Sequence, residues 1–160
     1  MVVVSPQFIP SPRLFEVPFA AADSGSQLWN TTWGGTGYEK GKAVAIASDG
    51  VYVAGYTWSF GAGGYDAFLV KYDTDGSQLW NTTWGGASNE LGYGVAVAGD
   101  GVYFTGSTES FGAGDSDALL VKYDSGGNQL WNTTWGEADT EYGSSVAVVG
   151  DHTVHERHVG

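Results

Sequence analysis

The strongest constraint on the fold is an internal repeat. The heptapeptide Leu-Trp-Asn-Thr-Thr-Trp-Gly begins at Leu28, Leu79 and Leu130, so successive copies are 51 residues apart. One repeat runs over 24–74 and the next over 75–125, and a third, shorter copy occupies 126–160. A period near 50 residues is typical of chains built from one supersecondary unit used several times. We therefore expect one repetitive domain over 23–160, preceded by an irregular leader over 1–22.

Composition and charge argue against several classes of partner. The chain has 18 acidic and 6 basic residues, and its formal net charge is −12. Such a surface repels phosphate backbones and anionic lipid, so we expect no nucleic-acid partner and no membrane docking. No apolar run approaches the roughly 20 residues that a membrane span needs, so we expect no membrane insertion. Cysteine is absent, which excludes disulfides and thiolate metal sites.

The leader does not have the pattern of an export signal. Four prolines interrupt Met1–Ala22, and no basic residue precedes its apolar part. Ala20-Ala21-Ala22 is similar to a cleavage region, but a continuous apolar core before it is missing. We interpret the segment as irregular, with a signal peptide as the alternative.

Each repeat contains four short runs of strand-forming residues. In the first complete set they are Lys42–Ala47, Val51–Tyr56, Ala67–Tyr72 and Gln78–Trp84, the last of which belongs to the start of the next repeat. Asp49-Gly50 between the first two predicts a hairpin, because glycine adopts a positive φ without strain. No segment has an apolar period of 3.6 residues, so no helix is expected.

Four antiparallel strands in each 51-residue unit predict the blade of a β-propeller. In the fourth strand, Trp80, Thr82 and Trp84 share one face, because side chains alternate along a strand. The sequence predicts that tryptophans of this type pack blade against blade, and a sugar-stacking surface is the alternative. The set comprises Trp29, Trp33, Trp80, Trp84, Trp131 and Trp135.

The order of these motifs also indicates a family. Leu-Trp-Asn-Thr-Thr-Trp-Gly-Gly at 79–86 is followed by Gly-Val-Ala-Val-Ala at 94–98 and Asp-Gly-Val-Tyr-Phe-Thr-Gly-Ser-Thr at 100–108. Asp-Ala-Leu-Leu-Val-Lys-Tyr-Asp follows at 117–124. Over about 23–151 the chain resembles the SBBP repeat family, which is named for a seven-bladed β-propeller. The resemblance implies large prokaryotic proteins that are extracellular or on the cell surface. It implies no agreed enzymatic activity, and this chain is too short for seven blades.

The strand count leaves the predicted propeller open. Two complete blades are flanked by two partial ones. The copy of the fourth strand around Trp29 and Trp33 and a first strand at Ser144–Val149 would belong to them, and Val17–Phe19 and Thr153–His158 would be degraded strands. Propellers usually have about four to eight blades. We expect closure by a homo-oligomer, with a dimer favoured since it supplies six blade equivalents. A fragment of a larger propeller and an open head-to-tail assembly are the alternatives.

The predicted ligand-binding surface is one rim of the propeller. The loops Gly34–Gly41 and Thr57–Asp66 should lie there, with counterparts at Gly85–Gly94 and Thr108–Asp117. Carboxylates recur in these loops, and one copy adds an exposed aromatic side chain. A sugar or a cation could bind them; alternatively, the acids tie loops through backbone N–H groups, as Glu141 would in the third copy. The candidates are Glu39, Trp58, Asp66, Glu90, Glu109 and Asp117.

Other motifs predict little chemistry. Asn30, Asn81 and Asn132 each begin an Asn-Thr-Thr sequon, which we interpret as cross-strand hydrogen bonding rather than glycosylation. Asp73-Thr74-Asp75-Gly76 lacks the oxygens of a calcium loop and reads as a turn. The histidines, at 152, 155 and 158, have no zinc-site spacing. We expect no metal, no cofactor and no catalytic residue.

The sequence therefore predicts a non-enzymatic, structural or interaction module that assembles with further copies of itself. A lectin-like carbohydrate-binding module is the first alternative. A truncated propeller without a function of its own is the second. A carbohydrate-active enzyme that uses rim carboxylates is the third and the least favoured.

Overall fold

A computed structural model describes residues 25–149, and these residues form two sheets of four strands each. The first sheet contains β1 (Glu39–Ala47), β2 (Gly50–Thr57), β3 (Asp66–Tyr72) and β4 (Gln78–Trp84). The second contains β5 (Glu90–Ala98), β6 (Gly101–Thr108), β7 (Asp117–Tyr123) and β8 (Gln129–Trp135). The described part of the chain has no helix and therefore none that could span a membrane. The all-β expectation and the four-strand unit are confirmed.

Both sheets are antiparallel meanders in which each strand pairs with the next one along the chain. The registers are equivalent: Val44 pairs with Val53 in sheet 1, and Val95 with Phe104 in sheet 2. The first strand of each sheet is longer than the sequence predicts, since β1 begins at Glu39 rather than Lys42. A register shift between Gly41 and Ala43 lets pairing continue to the loop.

Each sheet has two faces, which we name by their β2 or β6 residues. The front face of sheet 1 carries Val51 and Val53, and that of sheet 2 carries Val102 and Phe104. The back faces carry the alternate residues, among them Tyr52 in sheet 1 and Tyr103 in sheet 2.

The back face of sheet 1 packs on the front face of sheet 2 and forms the main core. Tyr52 and Leu69 come from sheet 1, and Phe104 and Val121 come from sheet 2. Alanines at 43, 45 and 47 line the contact on β1, and their small side chains allow β5 to approach closely. We call this contact the inner joint.

The two remaining faces are equivalent to the halves of the inner joint but lack a neighbouring sheet among the described residues. Val44 and Ile46 on the front of sheet 1 are 62% and 79% exposed, whereas Val95, the equivalent of Val44, is 9% exposed. On the back of sheet 2, Trp135 is 73% exposed, whereas Trp84 at the same repeat position is half-buried. The sheets do not close into a ring.

Two expected strands are not formed. Residues 144–149 and the copy of the fourth strand around Trp29 and Trp33 run beside the end faces without strand pairing. A strand needs a partner, and the expected partners of both segments lie outside the described residues. The leader over 1–22, the degraded strands predicted at Val17–Phe19 and Thr153–His158, and the three histidines also lie outside the described residues.

Candidate functional site

The rim predicted from the sequence is where strands β1 and β5 begin and strands β2 and β6 end. The loops of one sheet are tied there to the segment that enters the next sheet. Gly64 N donates to Ser88 O at 2.9 Å, and Glu90 N donates to Tyr65 O at 2.6 Å. The same arrangement recurs where Glu141 N donates to Ser116 O at 2.7 Å. The rim is thus a repeated structure built by both sheets.

Glu90 is the most enclosed of the candidate carboxylates, with no exposed surface. Its Oε2 accepts a hydrogen bond from Gly86 N at 2.7 Å. Its Oε1 accepts from Thr108 Oγ1 at 2.9 Å and from Ser110 N at 3.1 Å. Both oxygens therefore hold the segment before β5 against the loop after β6.

Glu39 has the same role in sheet 1 but is only half-buried. Its carboxylate accepts hydrogen bonds from Gly35 N at 3.2 Å and Thr57 Oγ1 at 2.9 Å. A hydrogen bond from the Ser59 side chain, with help from Thr57, outweighs desolvation and lowers the pKa of Glu39. In the third copy, Glu141 accepts from Glu137 N at 3.1 Å.

Asp66 and Asp117 are buried at the start of β3 and β7. Asp66 Oδ2 accepts hydrogen bonds from Ala62 N at 3.1 Å and Gly63 N at 3.3 Å. Asp117 Oδ1 accepts from Ala113 N at 3.2 Å. Each carboxylate thus bridges its own preceding loop, a geometry that fits the loop-tying alternative.

A carboxylate from each of two neighbouring repeats flanks a single glycine. A methyl group in place of the Gly85 hydrogen would collide with the carboxylates of Asp66 and Glu90. Asp117 and Glu141 flank Gly136 in the same way. The hydrogen bonds of these carboxylates connect parts of the rim to one another, which fits a structural role. Burial leaves Glu39, Trp58 and Glu109 as the predicted rim residues that a ligand could reach.

An aromatic cluster surrounds Trp58, and the sequence analysis identified only Trp58 itself. The Trp58 ring lies 4.8 Å from that of Tyr65, which lies 5.2 Å from Tyr56 and 6.3 Å from Tyr38. We call Tyr38, Tyr56, Trp58 and Tyr65 the rim cluster. Comparison of all four positions between the repeats would have revealed it, since none is aromatic in the second copy.

The tryptophans divide by position. Trp84 lies across the inner joint with its ring 5.1 Å from Phe111, and Trp33 makes the equivalent contact with Phe60 at 5.2 Å. Trp33 also lies 4.5 Å from Phe68 on the front of sheet 1. By contrast, Trp131 and Trp135 are 41% and 73% exposed. The packing role predicted for the tryptophans fits the geometry at the inner joint. Trp131 and Trp135 occupy the equivalent positions of sheet 2, where no sheet covers them among the described residues.

The opposite end of the sheets contains a cleft of 730 Å³ between the hairpin turns. Asp49 and Asp100 line it together with Asp124, and Tyr52 forms part of its wall. A hydrogen bond from the Asn128 side chain, with the backbone N–H groups of that turn, lowers the pKa of Asp124. Within 25–149 no group of three or more acidic or histidine side chains has the arrangement of a metal site.

Comparison with known proteins adds one similarity. No family model matches the chain. The chain is similar to the regulatory protein FlaEY of Caulobacter vibrioides, at 27% identity over 158 aligned residues. The alignment covers 82% of this chain but 17% of that protein, so the chain spans about a sixth of the length of its relative.

Proposed function

We propose that the chain is a non-enzymatic repeat module of the β-propeller type that assembles with further copies of itself through its two end faces. The main observation in support is that these two faces have the same residue patterns as the two halves of the inner joint. The back of sheet 2 has the residue pattern of the back of sheet 1, and the front of sheet 1 has that of the front of sheet 2. One copy can therefore dock on another as sheet 1 docks on sheet 2.

The exposed apolar side chains support this proposal. Val44 and Ile46 are mostly exposed, and so is Trp135, whereas Trp84 at the equivalent position of sheet 1 is half-buried. Clusters of exposed apolar side chains of this kind mark interaction sites on soluble proteins. Docking would cover both groups at once, as it covers Val95 and Trp84 within the chain.

The segments beside the end faces supply parts of the joining contact. Trp29 lies over Gly76 as Trp80 lies over Gly127, so residues 26–33 contribute what β4 contributes to the inner joint. On the other side Gly143 N donates to Gly106 O at 2.8 Å and holds residues 143–146 against sheet 2. A joint between two copies would therefore contain a composite unit, with one edge from each chain.

Charge sets the conditions for assembly. A net charge of −12 on each copy opposes association at low ionic strength. Because salt screens repulsion between exposed charges while apolar burial persists, we expect assembly to strengthen as salt increases. We also propose that the protein is extracellular or on the cell surface, which the SBBP resemblance supports.

The test is the absolute solution mass, measured by light scattering after size exclusion at two concentrations and two salt levels. A discrete oligomer, with a dimer expected, supports the proposal. Val44→Asp or Trp135→Asp should each give a monomer, since each places a charge in one half of the joint. Trp58→Ala is the control, because it removes an indole that is 58% exposed but lies on neither end face.

Mixing the two variants distinguishes head-to-tail docking from other contacts. Each variant retains one intact half of the joint, and the intact halves are complementary. An equimolar mixture should therefore form a mixed dimer, although neither variant associates alone. A wild-type chain that stays monomeric at every concentration and salt level would overturn the proposal, and so would self-association that both aspartate variants leave unchanged.

A further inference from the structure

The rim cluster is an aromatic surface that only one repeat carries. Trp58 and Tyr38 are 58% and 53% exposed, whereas Tyr56 and Tyr65 are half-buried beneath them. We propose that the rim cluster is a binding site for a neutral saccharide, present once per chain. This goes beyond assembly, because the cluster lies at the rim between sheets 1 and 2 and not on the end faces.

The four rings form a supported platform. Tyr65 is the central ring, and the planes of Trp58, Tyr56 and Tyr38 are inclined to it by 84°, 77° and 75°. Edge-to-face contacts of this kind hold aromatic side chains in place. The backbone fixes the two exposed members as well, because Trp58 N donates to Tyr38 O at 2.9 Å. A preorganised aromatic surface loses little conformational entropy when it binds a ligand.

The second repeat shows that the fold does not require this cluster. Four polar residues, Asn89, Ser107, Glu109 and Ser116, replace Tyr38, Tyr56, Trp58 and Tyr65 in order. Asn89 Nδ2 donates to Glu109 Oε2 at 2.8 Å, so a hydrogen bond joins the two positions that Tyr38 and Trp58 occupy in the first repeat. The strands and loops around both sets are equivalent. The aromatic set is therefore an addition to the repeat that its scaffold does not need.

Ring spacing and charge favour a saccharide over other ligands. A cage for a quaternary ammonium group needs a gap between its rings, but Tyr65 fills the centre of this cluster, with its centroid 4.8–6.3 Å from the other three. The Trp58 indole, which is 58% exposed, instead offers a single planar ring for the C–H face of a pyranose, with the tyrosines packed around it. Tyrosine hydroxyls and the nearby Asn89–Glu109 pair offer hydrogen-bond partners for sugar hydroxyls. The acidic protein disfavours anionic glycans.

The nearby amide ties the platform to the next sheet. Asn89 Oδ1 accepts a hydrogen bond from Tyr65 N at 3.0 Å, and Glu109 N donates to Asn89 O at 2.9 Å. The polar groups of the second repeat thus lie beside the aromatic surface of the first. One site per chain would become several per particle if copies assemble, and avidity would then increase binding to surfaces that display many glycans.

The test is binding of the full chain to an array of neutral oligosaccharides that also contains sialylated glycans and phosphocholine. A titration with each positive soluble oligosaccharide then gives the dissociation constant and stoichiometry. We expect binding to neutral glycans with one site per chain. Trp58→Ala should weaken it by about tenfold or more, since buried tryptophan contacts dominate small interfaces.

Exchange of the two repeat versions provides matched controls. The quadruple variant Tyr38→Asn, Tyr56→Ser, Trp58→Glu and Tyr65→Ser copies a set that already folds in this chain and should lose binding while its melting temperature is retained. The reverse exchange, Asn89→Tyr, Ser107→Tyr, Glu109→Trp and Ser116→Tyr, should raise the stoichiometry to two. Trp135→Ala, which removes the most exposed indole of sheet 2, should leave the dissociation constant per site unchanged.

Three results would overturn the proposal. They are the absence of any neutral glycan signal at millimolar concentration, retention of binding by the folded quadruple variant, and stronger binding of phosphocholine than of every neutral glycan. These outcomes are independent of oligomeric state, because the titration counts sites per chain.

Discussion

Lys71 Nζ lies 2.6 Å from Asp49 Oδ2, and Lys122 Nζ lies 2.5 Å from Asp100 Oδ2 at the same place in the second sheet. In each sheet the pair clamps the first hairpin turn onto the third strand. A tyrosine completes it, since Tyr52 OH donates to Asp49 at 2.9 Å and Tyr103 OH donates to Asp100 at the same distance. The lysine is also within 5.0 Å of the Tyr52 ring centroid in sheet 1.

This clamp predicts a loss of stability in acid. The hydrogen bond from Lys71 lowers the pKa of Asp49 in the folded chain, and that from Lys122 lowers the pKa of Asp100. A carboxylate whose folded pKa is lowered stabilises the fold above its unfolded pKa, near 3.8, and this stability is lost as the pH falls through the folded value. The melting temperature of the wild type should therefore decrease when the pH is lowered below about 4.

Asp49→Asn isolates one pair. Because the Asp49 side chain is 46% exposed, solvent screens the pair and its loss should cost about 0.5–1 kcal/mol at pH 7. The difference from wild type should shrink as the pH falls through the lowered pKa of folded Asp49, because the carboxylate is then protonated in the folded chain as well. Asp115→Asn, in an exposed loop, serves as the control. A difference that persists unchanged in acid would contradict the clamp.

Glu90→Gln tests the loop-tying role of the rim carboxylates. The amide nitrogen of glutamine donates rather than accepts, so at least one of the hydrogen bonds from Gly86, Thr108 and Ser110 is lost in a fully buried site. We expect a loss of about 1–3 kcal/mol in the free energy of unfolding. Glu39→Gln, at the half-buried copy, should cost less. Urea titration of both variants measures the difference, and equal effects would contradict it.

Val102→Ala and Val51→Ala compare the inner joint with an open end face. Both valines are the second residue of the second strand of a sheet, but Val102 is 1% exposed while Val51 is only half-buried. At a concentration low enough to keep the chain monomeric, Val102→Ala should cost about 1.5–2 kcal/mol and Val51→Ala clearly less. If copies dock as we propose, the two costs should converge as concentration rises. Equal costs in dilute monomer would show that the end face is already covered.

Gly76→Ala tests the contact between Trp29 and the turn before β4. Gly76 has a φ of +83°, and a Cβ at this position would lie 2.7 Å from the Trp29 ring. Strain and collision act together, so we expect a destabilisation of about 1–3 kcal/mol. Gly25 occupies the same repeat position with a φ of +77° but has nothing within 4 Å. Gly25→Ala should therefore cost less, and thermal unfolding of both variants separates strain from collision.

Much of this fold is predictable because it rests on local signals. Asp49-Gly50 marks the first hairpin, and alternation in Gln78–Trp84 places its indoles on one face. The prediction of a strand at Ser144–Val149 was wrong for a physical reason. A residue pattern gives strand propensity, but a strand also needs a partner segment with which to pair. The early start of β1 was missed because the bulge near Gly41 depends on backbone geometry and not on alternation.

The candidate site was predicted less well. The carboxylates recur in sequence, so Glu90 and Asp66 are easily found, but their burial depends on how the loops of two sheets meet. A sequence pattern does not distinguish an acid that faces solvent from one that accepts backbone hydrogen bonds. The rim cluster was missed because Tyr38 and Tyr65 are far apart in sequence and read as ordinary loop residues.

The inner joint has a consequence for how such chains change in length. Each 51-residue unit contains both halves of the joint, one on each face of its sheet. A tandem duplication therefore adds a unit whose contacts with its neighbours are already complementary, and no compensating substitutions are needed. Near-identical Leu-Trp-Asn-Thr-Thr-Trp-Gly segments are the expected trace of such events in the gene. The number of units can thus change by duplication, whereas each contact between neighbouring units keeps the same geometry.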